Sequence, residues 1–565
     1  MLDSLRHYRP AWLRPDLVAG LTVWAVLVPE SLAYAAIAGV PPVVGLYAAA
    51  PALVLYAILG SSRHLVVGPM AATAALSASI VAVYADAGGD DYTAVTTALA
   101  IVTGVIALAA GLLRLGFLAG FISEPVLKGF ILGMALTIIV GQVPKLLGIE
   151  KTDGDFFVQA WGVLTHLGGT NAWTLAVGAA CLAIVLALKH WLPLVPGSLV
   201  AVAIGIAAVV ALDLADHGVD IVGHIDAGLP ALGLPDVPAA TWIDLIGPAA
   251  GVMLIGFAEG LGAAKTYADR NGYRINPNRE LTGLGAANLG AGLASGMVVN
   301  GSLSKTAVNG GAGARTQLSG LTAAVLTIVT LLFLTGLFEQ LPEAALAAVV
   351  IAALIELVDF GLLKRYWKAS LAPRGTPASL AARPDFIAAV AAMLGVLVFD
   401  TLPGLVIGMT LSLLLLIYRS SRPHLVHLGR TPSGQWVDRA RHEDAEPVDG
   451  IAVVRCDGSL YFANTDHVRT ALLAAAEGHR ALVLDGESMP TVDLSGTKML
   501  TELDRHLAAQ HVTFYLAHDI GQVRDLLRRT DTDLEHVHPT VESAVEAAIE
   551  AGPARQDRDL PQEGP

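Results

Sequence analysis

Residues Val299–Gln317 read V-N-G-S-L-S-K-T-A-V-N-G-G-A-G-A-R-T-Q, a run of Gly, Asn, Ser and Thr with a single lysine, Lys305, near its start. The segments on either side are long and apolar. Hydrocarbon tolerates irregular backbone only where it is buried in protein or lines a cavity, because unpaired N–H and C=O groups have no water to turn to. A broken, polar segment carrying a positive charge at membrane depth is therefore a candidate anion site. The plainer alternative is a connection between two spans.

Composition fits the membrane setting. The 565 residues are 54% hydrophobic and 15% charged, with a formal net charge of -14 and a mean hydropathy of +0.61. Soluble domains carry about a quarter charged residues. The negative balance does not suit a nucleic-acid binder, and much of the acid lies beyond residue 440. Cys181 and Cys456 fall in an apolar span and in the tail, so they form neither a disulfide framework nor a metal site. Arg6, Arg9 and Arg14 precede the first apolar run without a small-residue cleavage site, which reads as a first span and not a signal peptide.

At roughly 20 apolar residues per span, fewer where a helix stops midway, the chain divides into two sets. The first lies near 16–35, 43–60, 70–84, 93–113, 123–147, 173–190 and 197–212. The second lies near 246–266, 281–296, 304–313, 316–337, 343–358, 385–399 and 402–419. The third member of each set is short and broken: G-P-M-A-A-T-A-A at Gly68–Ala75 and the opening stretch. Interrupted segments in corresponding positions of two halves point to a transporter's binding site, and an odd number per half forces inverted topology. With the N-terminus inside, Arg63, Arg114, Lys265, Arg270, Arg274, Arg279 and the run Lys364–Arg383 (with Arg374) fall in cytoplasmic connections. The acidic D-A-G-G-D-D at Asp86–Asp91 falls outside, as the positive-inside rule expects, with Lys145 and Lys151 as exceptions.

Ionisable groups inside spans are costly and so are candidates for function. Glu30 follows Pro29 in the first span, Glu259 lies in the corresponding span of the second half, and Lys305 opens the second broken segment. Asp400, near a span end, reads as a solvated boundary residue. Short helices starting at the midplane near Met70–Thr73 and Ser304–Thr306 would aim backbone N–H groups at an anion, with Ser302 and Ser304 adding hydroxyl donors. An unpaired buried lysine tends to lose its proton, so a Lys305–Glu259 ion pair is expected, either functional or purely structural. Burial raises a carboxyl's affinity for protons. Glu30 could thus couple anion movement to protons, or simply bond to backbone at the Pro29 break.

From residue 424 the pattern changes. Residues 424–448 are polar, a linker or a first strand; then strand-like G-I-A-V-V-R-C-D-G, helical D-H-V-R-T-A-L-L-A-A-A, strand A-L-V-L-D-G and helix D-L-S-G-T-K-M-L-T-E-L-D-R-H-L follow. V-T-F-Y-L-A-H-D and I-G-Q-V-R-D-L-L add another strand–helix pair, giving a small α/β domain over 449–551. Residues 552–565 read as a disordered tail.

P-E-S-L-A-Y-A-A-I-A-G-V-P-P-V-V-G-L-Y with G-S-S-R-H-L-V-V-G-P-M-A, the opening stretch, and D-L-S-G-T at Asp493–Thr497 together resemble the sulfate permease (SulP) family with its C-terminal STAS domain. The resemblance implies a polytopic α-helical membrane protein of fourteen transmembrane segments in two inverted seven-segment repeats, plus a cytoplasmic STAS domain. It also implies core and gate domains, elevator-like movement, a homodimer in the lipid bilayer of the plasma membrane, and a substrate held between the third and tenth segments. By position it assigns Glu30, Tyr34, Ala71, Ala72, Thr73, Ser304 and Lys305 to the substrate, and Glu259 to the acidic site of the eighth segment. Lys305 stands where animal and plant members often carry Arg; the lysine keeps the charge but loses the planar two-pronged donor. Glu259 with Ala263 replaces an Asp–Thr pair of sodium-coupled members, which weakens the case for a cation cage and favours protons as co-substrate, with Glu30 and Glu259 as carriers. Ser495 falls where related regulatory domains are phosphorylated, or it caps its helix.

The expected function is secondary active transport of a small anion, sulfate first, by proton symport, with no cofactor and no metal. Bicarbonate or C4-dicarboxylate transport and anion exchange are alternatives within the class; a channel-like or signalling membrane protein is the alternative outside it. No Walker A motif supports ATP-driven pumping, and no nucleophile–base pair supports an enzyme.

Overall fold

The computed structural model describes residues 8–85, 89–117, 123–152, 154–192, 195–225, 227–355, 358–371, 377–399, 401–518 and 536–552. Asp400, Arg374, Arg6, the start of the acidic 86–91 loop, the 520–527 helix and the tail beyond residue 552 lie outside the described residues.

A helix covers each expected span. The first half comprises α1 (Leu13–Ala38), α2 (Pro42–Leu59), α3 (Ala71–Val81), α4 (Asp90–Leu112), α5 (Glu124–Leu147), α6 (Ala172–Trp191) and α7 (Gly197–Leu212). The second comprises α8 (Ile246–Arg270), α9 (Pro277–Leu293), α10 (Leu303–Gly311), α11 (Leu318–Val329), α12 (Glu343–Ile355), α13 (Pro377–Phe399) and α14 (Thr401–Ser420). Among the described residues seven helices are long and apolar enough to cross a membrane. The third helix of each half is short and follows a three-residue strand, β1 (Val66–Gly68) and β2 (Asn300–Ser302).

Three helices were not expected from the pattern: Phe156–His166, Ala239–Asp244 and Phe360–Ser370. The first is short and apolar, and its start is fixed by Asp155, which accepts from the N–H groups of Phe157 and Val158 at 2.9 Å. The last combines Phe360, Leu362, Leu363 and Trp367 with Lys364, Arg365 and Lys368, a two-faced composition that charge alone disguises as a loop.

Packing respects the two halves. α9 lies along α4 and α2, α11 along α1 and α2, and α8 against α4 and β2. α12 and α13 pack on α5, and α12 on α6. Apart from the α8–β2 contact, exchanging each helix for its counterpart maps this pattern onto itself, as a pseudo-twofold requires. The helices group as α1–α4 with α8–α11 and as α5–α7 with α12 and α13, and the groups meet where α1 touches α7 and α12 and α3 touches α5. The α4–α9 contact depends on glycines, Gly104 and Gly285 among them. A Cβ on Gly104 would sit 2.5 Å from the Leu289 nitrogen, and one on Gly285 would sit 2.5 Å from the Leu108 nitrogen. Small residues let membrane helices approach closely enough for dispersion to hold them where no hydrophobic force does.

The C-terminal unit begins near Leu413 and folds around its own core. His424–Arg430 forms β3, which pairs antiparallel with both β4 (Trp436–Asp438) and β5 (Ile451–Asp457). β5, β6 (Ala481–Asp485), β7 (Thr513–Ala517) and β8 (Val537–His538) are mutually parallel, in the sheet order β4-β3-β5-β6-β7-β8. Alternation sends Leu482, Leu484, Phe514 and Leu516 toward α15 (Thr465–Ala476) and α16 (Leu494–Ala509). Val483 and Tyr515 face α17 (Val541–Glu550) instead, so the parallel strands are buried on both sides. α16 is capped by Asp493, whose Oδ1 accepts from the Gly496 N–H at 2.8 Å. The capping expected of Ser495 therefore falls to Asp493, and Ser495 is exposed on the first turn.

Gly285→Val should abolish the α4–α9 seat, at a cost of about 1–3 kcal/mol or more from overpacking. Gly311→Ala, whose added Cβ meets nothing within 4 Å, should be tolerated. Size-exclusion profiles and melting curves of the two detergent-solubilised variants would check this, equal behaviour counting against it.

Candidate functional site

The two broken segments pair with each other. β1 and β2 run antiparallel with Val66 opposite Ser302, Val67 opposite Gly301 and Gly68 opposite Asn300, all buried. Each half thus supplies the backbone partners that the other half's break lacks. Room for this comes from α8: a Cβ on Gly301 would lie 3.0 Å from the Gly260 Cα. Asn288 of α9 clamps the approach to β2, donating from Nδ2 to the Val299 carbonyl at 2.9 Å and accepting from the Val299 N–H at 3.0 Å.

α3 and α10 start where these strands end. Met70, with φ -151° and ψ 156°, is the extended residue before α3 and no side chain caps that helix. The first-turn N–H groups of Ala71, Ala72 and Thr73 therefore keep their dipole unspent, while Thr73 Oγ1 donates to the Met70 carbonyl at 3.2 Å. α10 is capped: Ser302 Oγ accepts from the Lys305 N–H at 3.3 Å and lies 3.2 Å from Ser304 Oγ. Ser302 is consequently a capping residue, and of the two serines it is Ser304 that is exposed.

Lys305 is 1% exposed. Its Nζ donates to the Pro69 carbonyl at 2.8 Å and lies 2.9 Å from Glu30 Oε2 and 4.9 Å from the centre of the Tyr34 ring. The expected partner, Glu259, is not the one used. Glu30 reaches Lys305 because α1 packs on α10 and presents Glu30 and Tyr34 one turn apart on that side. Glu259 is partly buried, and its Oε2 has no hydrogen-bond partner among the described residues. The sequence-predicted residues thus divide into a neutralised cluster of Glu30, Tyr34 and Lys305, two helix starts at Ala71–Thr73 and Ser304, and a separate carboxyl at Glu259.

Two carboxylates with no place in the sequence reading complete the site's frame. Glu280, fully buried, accepts from Tyr56 OH at 2.6 Å, Ser61 N–H at 2.8 Å, Ser61 Oγ at 2.6 Å and Ser62 N–H at 2.9 Å. Asp16, also fully buried, accepts from the N–H groups of Arg315 and Thr316 at 2.6 and 3.0 Å and from Thr316 Oγ1 at 2.6 Å. One holds the lead-in to β1, the other the exit from α10. The two turns meet at His64, whose Nε2 donates to the Ala314 carbonyl at 3.1 Å, and at Gln317, whose Nε2 donates to the Ser62 and Leu65 carbonyls at 3.0 and 2.9 Å. Both acids sit in the first turn of a helix after a proline, P-D and P-N-R-E, which reads as ordinary dipole compensation and hides the longer-range role.

Two facing helix starts over a paired strand crosspiece, buried between inverted halves, define a membrane transporter rather than an enzyme. The particular family follows from comparison with known proteins. Residues 13–373 match the family model described as "Sulfate permease family", and residues 443–544 match "STAS domain". The chain is 35% identical to a probable sulfate transporter of Mycobacterium tuberculosis over 96% of this chain and 97% of that one. It is 31% identical to the low affinity sulfate transporter 3 of Stylosanthes hamata, over 97% and 90% of the two chains. This chain belongs to the sulfate permease family. Among solved structures, the murine solute carrier 26 family member A9 anion transporter in the inward-facing state superposes with a TM-score of 0.86 at 24% identity, over 97% of this chain and 93% of that one. The transmembrane domain of a cyanobacterial bicarbonate transporter gives 0.60 at 25% identity, over 69% of this chain and 97% of that one.

Removing one member of the Lys305–Glu30 pair leaves a buried, uncompensated charge, a loss of about 3–5 kcal/mol, whereas removing both is close to neutral. Glu30→Gln and Lys305→Met should each lower the melting temperature of the purified protein, and the double variant should recover most of the loss. Additive losses in a double-mutant cycle would mean that the two side chains are not coupled.

Proposed function

We propose that this chain is a secondary active transporter of sulfate, coupled to protons and working by alternating access in the plasma membrane. The observation that carries the proposal is the pairing of Lys305 with Glu30 and the Pro69 carbonyl, which places the starts of α3 and α10 around one point. With Lys305 neutralised, the attraction for an anion comes from the N–H groups of Ala71, Ala72 and Thr73, from the start of α10 and from the Ser304 hydroxyl. Such donors suit a tetrahedral oxyanion, and the curated relatives are named as sulfate transporters. Tyr34 covers the ammonium and borders the same space.

Glu259 is the proton carrier in this scheme. Its Oε2 has neither a hydrogen-bond partner nor an ion pair among the described residues, whereas Glu30 Oε2, which likewise accepts no hydrogen bond, lies 2.9 Å from the Lys305 ammonium. Protonation of Glu259 as the anion enters would offset part of the added negative charge. Glu30 then acts through Lys305, and releases or takes a proton only if the pair opens. The grouping of α1–α4 with α8–α11 supports an elevator-like movement, in which the site travels with that group. The STAS unit and the N-terminus are cytoplasmic in this reading, the assembly is a homodimer, and the exposed Ser495 is the position open to phosphorylation. Bicarbonate is the second substrate reading, favoured by the fold shared with the bicarbonate transporter; the lack of a hydroxyl at Ala263 counts against a sodium-coupled version.

Uptake of labelled sulfate and bicarbonate into proteoliposomes, with and without an inward proton gradient, tests the reading. A gradient of one pH unit is worth about 1.4 kcal/mol per proton, a tenfold accumulation for one proton per anion at zero membrane potential. Wild type should concentrate sulfate under the gradient. Glu259→Gln should still exchange sulfate across the membrane yet lose the stimulation. Stimulation that survives in Glu259→Gln would remove this residue from the proton path, and sulfate uptake indifferent to the gradient would replace symport with exchange.

A further inference from the structure

At the basic end of α4 and α8, away from the Lys305 cluster, lies a concavity of about 530 Å³ lined by Arg114, Phe117, Leu261, Gly262, Lys265 and Asn278. We infer that this is a binding site for the headgroup of an anionic phospholipid, with Arg114 and Lys265 on the phosphate and the exposed apolar residues beside Arg114 along the acyl chains.

Charge comes first. Arg114 and Lys265 are exposed, and neither has an ion pair or side-chain hydrogen bond among the described residues. Among the described residues no carboxylate lines the concavity. Two cations from different helices that converge on one hollow without an anion between them are electrostatically incomplete. The α8–α9 connection adds Arg270, Arg274 and Arg279 at the same end, so the local potential favours a negative ligand.

Apolar surface distinguishes a lipid from a soluble anion. Leu112, Leu113 and Phe117 are 76%, 71% and 62% exposed and lie close to Arg114 in sequence. Such side chains suit the boundary between headgroups and hydrocarbon, and basic pockets between transmembrane helices are recognised sites for anionic headgroups. The floor is firm: Gly116 donates its N–H to Asn278 Oδ1 at 2.8 Å, tying the end of α4 to the start of α9. No side chain of Gly262 fills the hollow, since an added Cβ there meets nothing within 4 Å. The volume lies within the usual range for small-molecule pockets, about 300–1,000 Å³, and exceeds what a bare phosphate needs. A site here would tie lipid composition to the α4–α8–α9 wall that supports β2.

Native mass spectrometry of the full chain, titrated with phosphatidylglycerol or phosphatidylcholine, tests the assignment. Phosphatidylglycerol should bind saturably and preferentially. Arg114→Gln and Lys265→Gln should each weaken it about fivefold, the worth of one cation near a membrane surface. Both side chains are exposed and unbonded, so folding should be unaffected, and melting curves verify that. Arg274→Gln, which lies outside the hollow and adds only to the surrounding potential, should weaken binding less than either. Competition in the unmodified chain separates the sources of phosphate: inorganic phosphate should not displace the lipid at comparable concentration. Equal retention of both lipids, equal loss in Arg274→Gln, or displacement by inorganic phosphate would each overturn the proposal, the last in favour of a soluble-anion site.

Discussion

The antiparallel pairing of β1 with β2 is the constraint on which the rest of the membrane unit depends. A helix that stops in mid-membrane exposes several N–H and C=O groups to a medium that cannot satisfy them. The Val66–Ser302, Val67–Gly301 and Gly68–Asn300 register solves this for both halves at once. The neighbours then follow. α8 must offer glycine where the crosspiece passes, Asn288 must grip the Val299 peptide, and Lys305 must find an acceptor on the other strand's exit, which is the Pro69 carbonyl.

Electrostatics within the site is governed by desolvation more than by attraction. A lone ammonium at 1% exposure is costly in a low-dielectric setting, and Glu30 at 2.9 Å offsets that cost. The result is a pair of nearly zero net charge beside two helix starts that carry only partial positive charge. Partial charges held rigidly need no reorganisation when an anion arrives, and they release it more readily than a bare lysine would. Weak, oriented attraction suits a carrier that has to let go of its cargo on the far side.

Much of this was legible in the sequence. Span positions, the two broken segments and the α/β tail follow from apolar runs and from strand–helix alternation, because these are set by residues close in the chain. Glu30 and Lys305 were each legible because ionisable residues in apolar runs are conspicuous, whereas Tyr34 entered only through the family resemblance. The partner of Lys305 was not, since it depends on which face of α1 meets α10, and either Glu30 or Glu259 satisfies the chemistry. Asp16 and Glu280 were hidden for a different reason. Their partners are backbone N–H groups and hydroxyls hundreds of residues away, and neither a backbone donor nor a distant hydroxyl carries a local sequence signal. Ser495 illustrates local competition: Asp493, two residues earlier, has the better geometry for the cap.

The two hidden carboxylates bear on how the proposed cycle could move as a body. Each gathers three or four donors from a turn that flanks a broken segment, and the turns are joined through His64 and Gln317. A carboxylate saturated in this way is hard to strip, because every lost bond leaves a buried charge short of a donor. Glu280 binds α9 to the turn after α2, and Asp16 binds α1 to the turn before α11. With the α4–α9 glycine contact, these clamps tie α1, α2, α4, α9 and α11 to the crosspiece they surround. Deformation inside that group would break several buried polar contacts together. A frame held in this way is what the proposed elevator-like cycle requires of the site it would carry.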